Sequence, residues 1–535
     1  MLRLVALSVC LSVGLGAAPT ADTKYGPIQG IETATNVIYY GVPYAQPPVG
    51  ALRWAPPKDL ASWAPSVYSA ANMKPGCPQF KCDALDPPMV CPKTTSEDCL
   101  YLNIWAPLGT NSTSSLAVMV YIHGGNFVHM SGASLLYDGS ILSQKGDVIL
   151  VNVDYRLGAL GFLVTGKDAG DATGNYGILD QRQALKWVKE NIKAFGGDPN
   201  RVTLFGQSAG AQSAMIHLAS AESGAYFSNA IIESAPFSIP YKSYAEALLL
   251  GAHMAKLLNC TARDMNCLRQ RNSVDIAYAQ YLSRNKLSSL KLLEDFEPWG
   301  PWVDGVIVTG EPVTTMEKGH FQRKPIMLGT TSEETRLYIY GAWNKPVDNV
   351  LYEAAVTATH PNHAIAIFRE YPANSPQDER DNMAALATDY VFGCSTRHVS
   401  REIVKYGIAD VWMYIYDHAF SFPGWGNLTF CQGHVCHGSE VPFVFQSAGQ
   451  GGFKYAPDEI VLSDLVISYW SNFAKTGNPQ GVSDSGVEVK AVPDWPQFHT
   501  ENQWPYQHFK TPSSFIDTYY NAPFCDFWDK VGYNN

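Results

Sequence analysis

Beyond its first residues the sequence holds no run approaching the roughly 20 apolar residues that a membrane-spanning helix needs, so none is expected. It has no basic patch to offset a formal net charge of −11, which speaks against a nucleic-acid partner. Metal and nucleotide signatures are missing too. There is no H-E-x-x-H, no Walker loop and no G-x-G-x-x-G, and the cysteine spacing fits no zinc finger. Cys431 to His437 reads C-x4-C-H, whereas haem attachment needs C-x-x-C-H. No metal or cofactor is therefore expected. Internal repeats, low-complexity tracts and a Pro/Gly linker that would cut the chain into domains are absent. The final DKVGYNN carries neither an apolar tail for a lipid anchor nor a retention signal.

What is present is a chain of 535 residues, 46% of them hydrophobic, which is ample for a large core and excludes disorder. Arg3, the apolar stretch 4–15 and the small residues Gly16, Ala17 and Ala18 read as a signal peptide over residues 1–18. A secreted protein, or one stored in a secretory compartment, follows. Of the 11 cysteines, Cys10 falls in that leader, and the remaining ten permit up to five disulfides in an oxidising compartment. Asn111, Asn259 and Asn427 each open a glycosylation sequon.

Apolar, β-rich runs at 116–125 and 148–157 are nearly continuous, as strands covered on both faces should be. Residues 201–205, 229–234, 325–331 and 410–418 read as further strands. Residues 180–195 place Leu185, Val188, Ile192 and Phe195 on one helical face. Strands alternating with helices imply an α/β fold with a largely parallel sheet and helices on both faces. The stretches 240–320 and 340–405 are helix-biased and read as insertions that roof a pocket.

The chemistry centres on RVTLFGQSAG, residues 201–210. In G-x-S-x-G a strand runs into a sharp turn and a helix begins at once, leaving Ser208 at the strained bend. Gly206 and Gly210 lack a Cβ, so strand and helix can crowd the turn. A serine hydroxyl needs a base to take its proton, and the base needs an orienting acid. The order along such a chain is serine, acid, histidine. Glu333 and Glu334 follow one strand; His434 and His437 come later. Spacing alone does not choose within either pair. Gly124, Gly125 and Asn126, just past a strand, can converge their N–H groups on a developing oxyanion.

With these residues assembled, the chain resembles the type-B carboxylesterase/cholinesterase family of α/β-hydrolases. The motifs are GVPYAQPPVGALRW (41–54), SEDCLYLNIWAP (96–107), HGGNF (123–127), VDYRLGALGFL (153–163), 174–210, PWVDG (301–305), HGSEVPFVF (437–445) and FAKTGNP (473–479). The resemblance implies one α/β-hydrolase domain over 19–535, with helical insertions over an active-site gorge. It assigns Ser208 as nucleophile, Glu334 as acid and His437 as base, with oxyanion donors at Gly125, Asn126 and Ala209. It implies disulfides Cys77–Cys99, Cys260–Cys267 and Cys394–Cys525. For the four left over, the local pairs Cys82–Cys91 and Cys431–Cys436 are expected. It also implies an internal ion pair between Arg156 and Glu97. Three departures from the pattern stand out: Asn126 for a glycine, Thr335 for the glycine after the acid, and Leu337 for the aromatic of cholinesterases, with no tryptophan between Cys77 and Cys99. Quaternary ammonium groups need such aromatic faces, so a choline ester is not the expected substrate. The expected activity is hydrolysis of small-molecule or lipid esters through an acyl-enzyme. The alternatives are a long-chain lipase and a catalytically silent adhesion or scaffold protein. The oligomeric state is not legible.

Overall fold

The computed structural model describes residues 18–82, 87–283, 297–407, 410–481 and 490–533. The expected leader, apart from Ala18, lies outside them. The strands are β1 (Thr20–Thr23), β2 (Gly26–Gln29), β3 (Ile31–Glu32), β4 (Asn36–Pro43), β5 (Tyr68–Ser69), β6 (Tyr101–Pro107), β7 (Leu116–Ile122), β8 (Ile149–Val153), β9 (Gly197–Gln207), β10 (Asn229–Glu233), β11 (Ile326–Thr331), β12 (Val411–Tyr416), β13 (Pro505–Phe509) and β14 (Phe515–Thr518). Strands β1, β2 and β5 form a small sheet; the other eleven form one large sheet ordered β14-β13-β12-β11-β10-β9-β7-β8-β6-β4-β3. Its centre, from β8 to β13, is parallel. The edges are antiparallel, β3–β4–β6–β8 on one side and β13–β14 on the other. Large mostly parallel sheet and flanking helices together make the α/β-hydrolase fold.

Period-two alternation explains why the central strands read as continuous apolar runs. On β7, Val118, Val120 and Ile122 join one core with the helices Tyr176–Asn191 and Ala209–Ala219. Ala117, Met119 and Tyr121 join the opposite core with Trp470 and Phe473 of the helix Pro457–Thr476. Strand β12 alternates likewise, with Met413 on one face and Trp412 on the other. The expected helix at 180–195 starts earlier, at Tyr176, and its last turn, Ile192–Phe195, is a 3-10 turn. Leu185, Val188, Ile192 and Phe195 all enter one core.

Five disulfides join Cys77–Cys99, Cys82–Cys91, Cys260–Cys267, Cys394–Cys525 and Cys431–Cys436. Cys394–Cys525 fastens the C-terminal helix Ala522–Val531 to the helix Cys394–Lys405 across 131 residues of sequence. Asn111, Asn259 and Asn427 are exposed. Among the described residues, no helix is long and apolar enough to cross a membrane, and no group of three or more His, Cys, Asp or Glu could hold a metal ion.

The expected Arg156–Glu97 ion pair does not form. Arg156 lies just past β8 and meets Asp180 of the helix Tyr176–Asn191 through two bonds of 2.7 Å, both residues fully buried. Glu97 is bound instead by Arg53, whose Nε lies 2.6 Å from Oε2. A planar guanidinium takes whichever carboxylate the fold brings opposite it, and Asp180 sits directly across from residue 156.

Candidate active site

Ser208 follows β9 and caps the helix Ala209–Ala219 with φ +60° and ψ −124°, a conformation that L-residues rarely adopt. The flanking glycines are steric necessities. A Cβ on Gly210 would lie 1.9 Å from the Ile122 carbonyl oxygen, and one on Gly206 would lie 2.5 Å from that of Gly210. The strand–helix crossing thus has room for no side chain at either position. The Ala209 N–H opens the helix, where first-turn N–H groups have no partner within the helix.

The loop after β7 leans on this elbow. A Cβ on Gly124 would stand 3.0 Å from that of Ser208. Gly125, Asn126 and Phe127 all have positive φ (+91°, +51° and +58°). This run of left-handed backbone turns the loop back beside the serine. Asparagine tolerates that region better than most residues, which is how Asn126 replaces glycine there. Beneath the loop, His123 is stacked on Tyr155, with ring centroids 4.6 Å apart. Burial holds His123 down at about 4 and lifts Asp154, 3.9 Å away, to about 7.

The structure separates the two candidate pairs cleanly. Glu334, just past β11, is fully buried and bonds His437 Nδ1 through Oε2. Its other oxygen accepts from Thr330 Oγ1 at 2.5 Å and the Thr331 N–H at 2.7 Å. Burial alone would push this carboxyl up. Whenever the imidazole carries a proton on both nitrogens, its charge, together with hydrogen bonds from His437, Ser234 and Thr330, outweighs burial and holds Glu334 below the ordinary carboxylate value. The other pair forms its own contact nearer the surface: His434 Nδ1 lies 2.8 Å from Glu333 Oε1, and both side chains are more than a third exposed. Ser208 and His437 line one cavity; Glu333 and His434 do not. Cys436, bridged to Cys431, immediately precedes His437, and the rings of Phe392 and Tyr338 lie 5.1 and 5.4 Å from the imidazole.

The second imidazole nitrogen is engaged by a residue that sequence reasoning passed over. Gln207 Nε2 lies 3.0 Å from His437 Nε2. With Nδ1–H donated to Glu334, Nε2 is an acceptor and the Gln207 amide the donor. No hydrogen bond joins His437 to Ser208 Oγ in this arrangement. Gln207 is the variable residue inside G-x-S-x-G, so no motif singles it out.

Behind the pair lie two more buried carboxyls. Glu233, at the end of β10, accepts from Trp470 Nε1 at 2.6 Å, and its carbonyl receives the Ser208 N–H at 2.9 Å. Burial pushes Glu233 up to about 8. Glu440 is raised as well, by burial and then by the charges of Glu334 and Glu233. A carboxyl raised in the folded state stabilises the protein fully below its unfolded value, and that contribution is lost as pH rises through about 8. Wild-type protein should therefore lose thermal stability between pH 5 and 9. Glu233→Gln, which keeps an acceptor for Trp470, should recover on the order of a few kcal/mol at pH 9 and little at pH 5. Melting curves of both proteins at the two pH values test this; equal losses would show that burial does not raise Glu233 above its unfolded value.

The cavity has a volume of about 810 Å³. The expected insertion at 340–405 supplies much of its wall, including Tyr352, Met383, Leu386 and Phe392. Leu337, Phe420 and Trp425 extend the apolar lining, while Gly125, Asn126, Ser208 and His437 stand together on it. Of the stretch 240–320, the described lining residue is Glu297.

This fold and site define a class before they define a member. Residues 17–528 match the Carboxylesterase family. The chain is 36% identical over 514 residues to the cAMP-regulated D2 protein of Dictyostelium discoideum, covering 96% of this chain and 93% of that one. It is 31% identical over 540 residues to the Cholinesterase of Mus musculus (95% and 85% covered). It is 30% identical over 574 residues to the Acetylcholinesterase of Electrophorus electricus (96% and 88%). The chain belongs to the carboxylesterase family, a family of carboxylic-ester hydrolases.

Proposed function

We propose that the protein is a secreted, glycosylated serine carboxylesterase that hydrolyses large, mainly apolar esters. One observation carries the reading: a strained serine and a glutamate-braced imidazole line the same cavity of about 810 Å³. Turning the Gln207 amide away frees the His437 Nε2 lone pair for the Ser208 hydroxyl. Ser208 Oγ attacks the ester carbonyl carbon as His437 Nε2 takes its proton. The carbonyl oxygen becomes an oxyanion, met by the N–H groups of Gly125, Asn126 and Ala209. The tetrahedral intermediate collapses, the bond to the alcohol oxygen breaks, and Nε2 delivers the proton to the leaving alcohol. Water, deprotonated by the same nitrogen, then releases the acid and regenerates Ser208. Glu334 holds the imidazole in one tautomer and stabilises its cation.

The apolar walls favour long or bulky chains, because each buried methylene contributes about 0.8 kcal/mol. The cavity lies toward the upper end of the usual small-molecule range of about 300–1,000 Å³. Five disulfides, three exposed sequons and the apolar leader support secretion. The test is kcat/KM on p-nitrophenyl esters of increasing acyl length, with thiocholine esters alongside. Rates should rise from acetate to medium-length chains, with thiocholine esters poorer than neutral esters of equal size. A profile that falls with chain length would contradict the substrate reading, and no turnover of any ester would contradict the hydrolase reading.

A further inference from the structure

The described wall of the cavity holds no lysine or arginine, and Glu297 is its one carboxylate. This residue is 6% exposed and stands outside the Ser208–His437–Glu334 set. Its Oε2 accepts from Gln212 Nε2 at 3.1 Å. Gln212 lies one turn past Ser208 on the elbow helix, its N–H bonding the Ser208 carbonyl at 3.0 Å. The segment that follows Glu297 packs on the oxyanion loop: a Cβ on Gly300 would lie 3.1 Å from the Phe127 ring. Lys242 Nζ binds the backbone carbonyl of Glu297 at 2.8 Å and not the carboxylate. No described residue bonds the remaining oxygen, Oε1, of this cavity-lining side chain. Burial pushes the carboxyl up to about 7, against the hydrogen bond from Gln212 and the charge of Lys242. A buried carboxyl with an unused acceptor, lining the same cavity as Ser208, is costly unless something pairs with it.

We propose that Glu297 is a specificity-determining residue that binds a hydrogen-bond donor, hydroxyl or protonated amine, on an otherwise apolar ester. The inference rests on the esterase reading above. A site built to pair a substrate donor discriminates strongly against the analogue lacking it, because its own polar group is then stranded. The test uses matched esters ending in methyl, hydroxyl or amine, with the group placed on the acyl chain in one set and on the alcohol in the other. Wild-type kcat/KM should favour a donor-bearing ester over its methyl analogue by at least about tenfold, mostly through KM. In Glu297→Leu that ratio should collapse toward one. Glu297→Gln, which keeps shape and hydrogen-bonding capacity but not charge, should retain preference for the hydroxyl but lose it for the amine if charge is what recognises the substrate. A methyl ester that matches both donors in the wild type, or a ratio unchanged in both variants, overturns the proposal. Turnover of the methyl ester by the wild type keeps the two readings apart: if it proceeds while the preference is missing, Glu297 has been misread and the esterase stands.

Discussion

Ser208→Ala should lower kcat toward every ester by roughly 10⁶-fold while leaving the fold intact. The substitution removes one oxygen. Its strained backbone, φ +60°, is no worse for alanine than for serine, and the Ser208 N–H still bonds the Glu233 carbonyl. Among the described residues of the cavity wall there is no cysteine and no second serine to replace the hydroxyl. The imidazole would then remain on Gln207 Nε2, its partner at 3.0 Å. The residue of activity left by the oxyanion donors and substrate binding is about 10³–10⁴ above water. Steady-state rates, with circular dichroism to verify folding, measure it. Retention of even one per cent of turnover would exclude Ser208 as the nucleophile.

Glu334→Gln should cost about 10⁴-fold in kcat with little change in KM. Glu334 bonds His437 Nδ1 through one oxygen and accepts from Thr330 and Thr331 through the other. Glutamine's carbonyl can keep the latter two, so the side chain presents its NH₂ to the imidazole. That donor forces the proton onto Nε2, the nitrogen that must accept from Ser208. The charge that stabilises the imidazolium is lost as well. Glu333→Gln is the built-in comparison, because it breaks a partly exposed contact with His434 away from the cavity. Exposed pairs contribute about 0–1 kcal/mol, so its rate should stay within a few-fold of wild type. Equal effects of the two substitutions would mean that the buried carboxylate has no special role.

The strands that build the sheet centre were legible because both of their faces are covered. Alternating side chains of β7 and β12 enter two cores, so apolar residues run on without a break. Strand ends are less legible: the apolar run 116–125 stops being strand at Ile122, since the Gly124–Gly125 loop already turns toward Ser208, while 201–205 is only the middle of β9. Among the antiparallel edges, β3 and β14 carry no continuous apolar signal, being two and four residues long and partly exposed; β4 and β6 are longer and largely buried, but Gly41 in one and Asn103 in the other interrupt their apolar runs. The serine elbow was legible because its glycines are required by contacts under 3 Å. Which glutamate pairs with which histidine was not, since adjacent glutamates differ in burial only after the chain folds; family resemblance, not spacing, separated them. The Arg156–Glu97 pair that the resemblance implies does not form, because Arg156 meets Asp180, on a helix that comes opposite it only once the chain folds. Gln207 and Glu297 gave no signal, as one amide and one carboxylate acquire meaning only from what they face.

The central claim is that Ser208 is a nucleophile activated by His437. Incubation of the folded protein with a fluorophosphonate, followed by intact-mass and peptide mapping, tests it most directly. The account predicts one adduct per chain, on the peptide containing Ser208, and none after unfolding or in His437→Ala at matched times. An unmodified folded chain, or an adduct carried by another residue, would contradict it.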